Sequence, residues 1–377
     1  MSKNTMIAQV ESIPALIREE FKALDSRVRH LLDHNECLSV KRIVITGCGD
    51  SHMAGVATEL AFEEIAGIPT EPMRAMTAAR YGMINQPKSF PGNPLTLGIS
   101  VSGTVARTRE AIAVAREEGA LTVAVTANPD GPLAQAAEKR LDCTVPSFDH
   151  APGVRSYRVS MVMLYLLAIR LAEVTGRMTQ DEANAMRQEL KGTADAIEAT
   201  IEACHDKTRQ LAEHFADQKE FVFTGDGPNL ATAHFGAAKI IEAAGRHATG
   251  QDTEEWAHLQ YFVNVDTDTP SFIISPGGRG HDRAAEIVEP MTRIGRTTIA
   301  IVPEGDQAIA PNVSSVLPVV GSIREHFSPM VYAVAGELFS AHLSDATGEP
   351  FFRAFSGAYK AGNTIRDSKV VTRSDLP

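Results

Sequence analysis

The chain has 377 residues and a formal net charge of −11, and no run rich in lysine or arginine stands out. These features disfavour a general surface for nucleic acid or for an anionic membrane. Hydrophobic residues make up 44% of the chain and charged residues 22%, which is typical of a soluble globular protein with two domains. Because the sequence has no apolar run of about 18 residues and no secretory signal pattern, we expect a cytoplasmic location without a membrane span.

The four cysteines are widely spaced and form no Cys-x-x-Cys pair: Cys37, Cys48, Cys143 and Cys204. This spacing is typical of reduced thiols and not of a zinc site. We therefore expect no metal.

Strand-like and helix-like stretches alternate through the first half of the chain. The predicted elements are a helical segment (1–36), a strand (42–46), a helix (52–65), a strand (95–100), a helix (105–118), a strand (121–126) and a short helix (133–139). Alternation with β-branched strands is typical of an α/β fold in which helices cover both faces of a parallel sheet.

A long helical region at 159–217 interrupts this alternation, which then restarts with predicted strands at 220–224, 271–275, 297–302 and 316–319. Thr224-Gly225-Asp226-Gly227 echoes Thr46-Gly47-Cys48-Gly49, each at the end of an apolar strand, so two copies of one α/β unit are the simplest account. We predict an N-terminal helical segment (1–36), a first domain (37–195), a second domain (196–355) and a C-terminal tail (356–377).

The segment Ser100-Val101-Ser102-Gly103-Thr104, here called the hydroxyl loop, lies between a predicted strand and helix. Hydroxyl donors, a glycine and a helix N-terminus together suit a phosphate group. An ordinary turn with a serine cap is the alternative. Ser51 ends another strand at the same sheet edge, where ligands bind in such folds. Neither turn has the glycine pattern of a dinucleotide-binding or P-loop motif, so no nucleotide cofactor is expected.

The second candidate segment is 237–258, which contains Lys239, Glu242 and His258. Lys239 and Glu242 share one face if the segment is helical. A carboxylate and a histidine suit ring opening and proton transfer between adjacent sugar carbons. The alternative is that Glu242 is a solvated helix carboxylate and that His258 is a polar residue whose hydrogen bonds are satisfied. A metal site is disfavoured, since no ligand spacing typical of metals is present.

The glycine-rich segment at 275–283 has two interpretations. It supplies a substrate contact, or it is an ordinary turn.

Several motifs resemble the double sugar-isomerase (SIS) domain family, which includes the isomerase half of glucosamine-6-phosphate synthase. Residues 99–104 resemble its ISxSGET loop, 47–51 its CGTS turn, 153–158 its GVASTK segment and 237–242 its ALKLKE segment. The spacing from Glu242 to His258 is also similar. The resemblance runs in order over nearly the whole chain, and it implies two tandem flavodoxin-like domains, each a parallel sheet sandwiched by helices.

The resemblance implies a role for each matching residue. Glu242 would move a proton between the first two sugar carbons, with Lys239 as its electrostatic partner. His258 would assist ring opening from the neighbouring subunit of a homodimer, and Lys369 would form an imine with the open-chain sugar. Without the resemblance, a lone lysine in a charged tail is more often a solvated surface group. The phosphate ligands would be Ser51, Ser100, Ser102, Gly103, Thr104 and Ser156.

Three positions depart from the family pattern. Val105 replaces a threonine of the phosphate loop, Phe235 replaces a second glutamate, and Ala257-His258-Leu259-Gln260 replaces KHGP. No segment resembles a glutaminase domain or its catalytic cysteine, so we expect no release of ammonia from glutamine. These departures leave open whether the substrate anion is a phosphate.

The leading hypothesis is an aldose–ketose isomerase or an amino-sugar-phosphate deaminase that acts on a phosphorylated sugar without a cofactor. A fructosamine-6-phosphate deglycase is the alternative, and a non-catalytic sugar-phosphate sensor is a further one.

Overall fold

A computed structural model describes residues 4–86, 94–263, 268–360 and 368–376. Within these residues the chain forms two parallel sheets, each of five strands. The strands are β1 (Ile43–Gly47), β2 (Thr70–Arg74), β3 (Leu95–Ile99), β4 (Leu121–Thr126), β5 (Lys139–Asp142), β6 (Glu220–Gly225), β7 (His247–Gln251), β8 (Pro270–Ile274), β9 (Thr297–Pro303) and β10 (Ser315–Val319).

The α-helices flank these sheets. They are α1 (Thr5–Arg29), α2 (His34–Ser39), α3 (Asp50–Ala61), α4 (Ala75–Thr77), α5 (Ala106–Glu117), α6 (Pro132–Ala136), α7 (Arg155–Val174), α8 (Gln180–His214), α9 (Pro228–Ala244), α10 (Thr253–His258), α11 (His281–Arg293) and α12 (Pro329–Thr347).

The two sheets share one topology. The first has the order β2-β1-β3-β4-β5 and the second the order β10-β9-β8-β6-β7, in which β6 takes the place of β1. This is the flavodoxin-like order, and right-handed crossovers place the helices of its two arms on opposite faces. The predicted α/β fold with two tandem flavodoxin-like units is confirmed.

The repeated Thr-Gly-x-Gly motif has the same backbone conformation in both copies. Gly49 precedes α3 with φ 54° and ψ −128°, and Gly227 precedes α9 with φ 53° and ψ −128°. L residues rarely adopt this conformation, so each strand-to-helix turn depends on glycine. The sequence echo therefore reflects a structural requirement.

The central strands of both sheets form the core. Every residue of the central strands β1, β3 and β8 is buried. Helices on both faces exclude water, so these strands read as continuous apolar runs.

The chain divides into two compact units, each made of segments that are separated in the sequence. One comprises residues 1–16, 148–155 and 192–359, and the other comprises residues 17–147, 156–191 and 360–377. The first of these, here the β6–β10 unit, contains the second sheet, and the other, the β1–β5 unit, contains the first sheet. The four predicted domain ranges stay a prediction.

The sequence pattern did not predict β2, β5 and β7, which are edge strands. Water reaches three of the five residues of β2 and four of the five residues of β7, so these strands carry no apolar run. The helix predicted at 133–139 ends at Ala136, and Lys139 begins β5. Among the described helices, none has the length and apolar character needed to cross a membrane.

Candidate active site

The first sheet brings two predicted phosphate-binding turns together. β1 and β3 are parallel neighbours, with Gly47 opposite Ile99 at their carboxyl ends. The order of strands reverses at this point, where open α/β sheets bind ligands. The turn that leads to Ser51 and the hydroxyl loop therefore leave the same edge side by side.

Two hydroxyl groups at this edge lack hydrogen-bond partners among the described residues. Ser100 is only 2% exposed, and its Oγ is unpaired. Thr46 is completely buried, its Oγ1 is also unpaired, and it lies opposite Gly98 in the parallel register. Buried hydroxyls are normally hydrogen-bonded, so Ser100, directly after β3 at the sheet edge, has a donor to offer to a polar ligand.

The backbone of the hydroxyl loop is held by its neighbours. Gly103 has φ +67°, and a Cβ atom there would lie 2.9 Å from Thr126 Oγ1 and 3.0 Å from Asn128 Cβ. Asn128 Nδ2 donates to the Ser102 carbonyl at 3.1 Å, and the Leu133 N–H donates to the Gly103 carbonyl at 3.0 Å. The loop thus requires glycine and cannot shift without breaking these bonds.

This anchoring leaves the outer hydroxyls at the surface. Ser102 is exposed, and its Oγ lies 3.0 Å from Thr104 Oγ1. α5 begins two residues after Thr104, so its first N–H groups face the same region. The arrangement of donors suits an anion.

Ser51 and Ser156 occupy first turns of helices. Ser51 is the second residue of α3, and a Cβ on Gly47 would come within 2.7 Å of its Cβ. Ser156 is the second residue of α7, and its carbonyl accepts a hydrogen bond from Ser160 Oγ at 2.9 Å. Both serines are half-buried. Their contact with a phosphate stays a prediction.

Lys369 lies on a C-terminal segment that packs along α5. Arg107 donates to the Lys369 carbonyl and, through the same nitrogen, to Ser368 Oγ at 3.3 Å. The lysine side chain is exposed. Arg107 did not stand out in the sequence.

In the β6–β10 unit, the structure pairs Lys239 with Glu242 on one face of α9. The Lys239 side chain is completely buried and forms a salt bridge to Glu242, whose side chain is 30% exposed. Lys239 Nζ also lies 4.7 Å from the centre of the Phe235 ring. Phe235, which departs from the family pattern, thus packs against the cation that neutralises the carboxylate.

His258 is the last residue of α10, and its side chain is 67% exposed. Its Nε2 lies 3.2 Å from Glu254 Oε1, and Glu254 Oε2 accepts from Arg283 Nε at 2.6 Å. The hydrogen bond from Arg283 holds the pKa of Glu254 below its usual value. Glu254 and Arg283 thus orient the histidine. The sequence analysis did not identify either residue, although Glu254 and His258 are four residues apart and so share one helix face.

The glycine-rich segment at 275–283 forms a hydrogen-bonded chain. Ser275 Oγ lies 2.8 Å from His281 Nδ1, and His281 Nε2 lies 3.0 Å from Asp306 Oδ2. Asp306 Oδ1 also accepts from the backbone N–H groups of Ile309 and Ala310. The exposed Arg279 pairs with Glu325 at 3.4 Å. A substrate contact from this segment stays a prediction.

Across the described residues, no group of three or more His, Cys, Asp or Glu side chains could hold a metal ion.

The two parallel sheets and the hydroxyl-lined turn at the strand reversal define an α/β protein of flavodoxin-like topology. The SIS domain model matches residues 38–170. Residues 38–170 therefore form a SIS domain, and the chain has the fold of two such domains in tandem. The predicted resemblance to the SIS family is confirmed by the match over residues 38–170 and by the fold.

Comparison with individual proteins agrees with this assignment. The glutamine–fructose-6-phosphate aminotransferase [isomerizing] of Gloeobacter violaceus is 24% identical over 353 residues, which cover 92% of this chain and 56% of that protein. The chain thus spans about half the length of the curated relatives that it matches.

Two solved structures show the same fold. The C-terminal domain of glucosamine-fructose-6-phosphate aminotransferase from Francisella tularensis superposes with a TM-score of 0.78 at 19% identity, covering 92% of this chain and 97% of that one. The tagatose-6-phosphate ketose/aldose isomerase from Escherichia coli gives a TM-score of 0.71 at 18% identity, covering 99% and 97%.

Proposed function

We propose that the chain is an enzyme that converts an open-chain 6-phosphosugar by proton transfer, as an aldose–ketose isomerase or an amino-sugar-phosphate deaminase. The observation that carries the proposal is the buried, unpaired Ser100 hydroxyl at the strand reversal of the first sheet. A phosphate oxygen there would accept its hydrogen bond.

The hydroxyl loop supplies the remaining phosphate donors. Ser102 and Thr104 present hydroxyls at the surface, and the start of α5 presents backbone N–H groups. Helix N-termini bind phosphate without surplus lysines, which accords with a net charge of −11. Ser51 and Ser156 complete the proposed set.

Glu242 is the proposed base. It removes the proton from C2 of the open-chain aldose and returns it to C1, while a second proton passes from the O2 hydroxyl to O1, so that the aldehyde becomes a hydroxyl group and C2 becomes the ketone. The buried Lys239 forms a salt bridge with this carboxylate and offsets its negative charge. With a 2-amino sugar, the same transfer gives an imine at C2, and addition of water then releases ammonia and leaves the ketose.

His258 and Lys369 have supporting roles in the proposal. His258 moves protons between the ring oxygen and the C1 hydroxyl during ring opening. Lys369 forms an imine when its amine condenses with the open-chain carbonyl and one water leaves.

The surroundings of His258 support a site completed by a second copy of the chain. Leu259 is 59% exposed and Phe262 is 72% exposed, next to the exposed histidine. Large apolar side chains at one surface favour contact with a partner protein.

Light scattering measures whether the chain forms a dimer. A mixture of His258→Asn and Glu242→Gln chains should regain part of the activity if each subunit supplies its histidine to the active site of the other.

The experiment that tests the function is a ligand panel with thermal shift and NMR detection of turnover. The panel contains fructose 6-phosphate, glucosamine 6-phosphate, a 6-phosphofructosyl amino acid and the unphosphorylated sugars. A ligand that binds the native state raises the melting temperature by mass action. We expect stabilisation only by phosphorylated compounds, with product from the hexose or hexosamine phosphate.

Other outcomes are informative. Turnover of the 6-phosphofructosyl amino acid alone would show a deglycase. Binding without turnover in the wild type would favour a sensor. Glu242→Gln should bind but not turn over, whereas the exposed Glu213→Gln on α8 serves as the matched control and should behave as the wild type.

A further inference from the structure

Glu110 is a completely buried carboxylate on α5 that joins this helix to two other parts of the β1–β5 unit. It accepts hydrogen bonds from Arg80 and from Arg107, and its Oε2 accepts from the Val371 backbone N–H at 3.1 Å. A buried charge is costly unless it is paired and hydrogen-bonded. The C-terminal segment thus provides part of what this carboxylate requires.

Arg107 links the helix to the same segment. One of its terminal nitrogens donates to Glu110, and the other donates to Ser368 Oγ and the Lys369 carbonyl. The planar guanidinium group presents donors in a fixed fork, so it can hold both partners at once. A lysine has one point charge and cannot span them with the same geometry.

The rest of the segment continues along the helix. Arg373 Nε donates to Glu118 at 2.6 Å, and its backbone N–H donates to Glu117 at 3.1 Å. Val371 is 9% exposed. From Arg107 to Glu118 the helix rises about 16 Å, and four extended residues from Lys369 to Arg373 span about 14 Å. The matching lengths indicate that the segment follows α5 from its start to its end.

We infer that Arg107 and Glu110 are positioning residues that dock residues 368–376 on α5 and thereby hold Lys369 beside the hydroxyl loop. Arg107 is the second residue of α5, which begins shortly after Thr104. Because Arg107 donates to the Lys369 carbonyl, it fixes the lysine backbone at the mouth of the proposed phosphate site. This inference rests on the proposed function of Lys369. It adds that the reactivity of Lys369 depends on a clamp, namely the hydrogen bonds that Arg107 and Glu110 make with the segment.

The physical basis is that docking of the segment restricts the volume in which the Lys369 amine moves. A lysine on an unanchored tail samples a large volume, whereas a lysine held at its backbone keeps a high effective concentration near the carbonyl. Loosening the clamp should therefore lower the rate of imine formation and leave phosphate binding unchanged.

The test uses the full chain with Arg107→Gln and the neighbouring Arg109→Gln as the matched control. Hydrogen exchange followed by mass spectrometry reports docking of residues 368–376. Borohydride trapping with fructose 6-phosphate reports the imine, because reduction of the C=N bond leaves a stable secondary amine on Lys369. Arg107→Gln should exchange faster in this segment and lose trapping and kcat by about tenfold or more, with KM unchanged. Arg109→Gln should match the wild type.

Three results are distinguishable. Unchanged exchange in Arg107→Gln would overturn the docking. Faster exchange with unchanged kcat and unchanged trapping would overturn the positioning role. Absence of trapping in the wild type, together with full turnover by Lys369→Arg, would remove the imine from the proposed function and the positioning role with it, while the exchange data would still report the docking. Should Arg107→Gln fail to fold, Arg107→Lys keeps the charge near Glu110 and should show the same directions in smaller measure.

Discussion

Ser100 and Ser275 occupy the same position in the two sheets, and only Ser275 has its hydroxyl bonded within the protein. Each serine directly follows a central strand and donates its backbone N–H to the neighbouring strand at 3.1 Å, Ser100 to Val125 and Ser275 to Ile301. Ser275 Oγ is bonded to His281, whereas Ser100 Oγ has no partner among the described residues. The first sheet therefore keeps a polar position for a ligand, and the second fills it with its own histidine.

This difference predicts opposite effects of the same substitution. Ser100→Ala removes an unpaired hydroxyl, so stability should stay the same or rise slightly, while the affinity for a phosphosugar falls by about tenfold. Ser275→Ala breaks a hydrogen bond within the protein and should cost about 1 kcal/mol of stability without changing that affinity. Urea unfolding and calorimetric titration separate the two. Equal loss of affinity in both variants would contradict the assignment.

Gly103 should be intolerant of substitution. Gly103→Ala places a Cβ at a positive φ and against Thr126 and Asn128, so we expect a loss of about 2 kcal/mol or more and loss of phosphosugar binding. Gly119→Ala is the matched control, because Gly119 also has positive φ (85°) but open space around the added Cβ. It should cost about 1 kcal/mol and retain binding. Urea unfolding with ligand titration measures both, and a Gly103→Ala protein that binds normally would refute the rigid-loop account.

Lys239 should contribute to activity more than to stability. Lys239→Met keeps an apolar chain against Phe235 but removes the charge beside Glu242, so we expect kcat to fall by about 100-fold. Stability should fall less than activity, because Glu242 is 30% exposed and keeps contact with water after its partner is removed. Lys219→Met, at an exposed position, is the control. An unaltered kcat would exclude Lys239 as the electrostatic partner.

The fold should lose stability in mild acid because of His342. Burial, reinforced by the charge of His205, lowers the pKa of His342 to about 4, and its Nε2 has no partner in the part of the chain that the structure describes. The unfolded chain binds a proton near its ordinary pKa of about 6.5, so the unfolded state gains protons first as pH falls. Stability contributed by neutral His342 is complete above about 6.5 and is lost between there and about 4.

The slope of that loss is about 1.4 kcal/mol per pH unit for one proton. Urea unfolding at several pH values measures it, and His342→Gln should flatten the curve in this window. The same slope in the variant would assign the acid sensitivity to other groups.

Sequence patterns predicted the central strands and the hydroxyl loop, because both depend on local features. Buried strands are apolar throughout, and a helix that begins after a glycine-containing turn is visible in the chain. Edge strands such as β2 carried no such pattern, since water reaches part of their surface.

The docking of the C-terminal segment could not be predicted in the same way. Arg107 and Glu110 look like an ordinary ion pair three residues apart on a helix. Their partner Lys369 lies 262 residues from Arg107. Only folding brings these groups together. A glutamate on a helix is usually exposed, so the sequence did not indicate that Glu110 is buried.

The measurement that tests the central claim most directly is deuterium incorporation in D₂O, followed by NMR with the phosphosugar that stabilises the protein in the ligand panel. A carboxylate base exchanges its proton with solvent, so the wild type should place deuterium at C1 or C2 of the sugar. Glu242→Gln should bind the sugar and incorporate none, while Glu213→Gln should match the wild type. Deuterium incorporation that survives in Glu242→Gln would contradict the assignment of the base, and none in the wild type would contradict proton transfer itself.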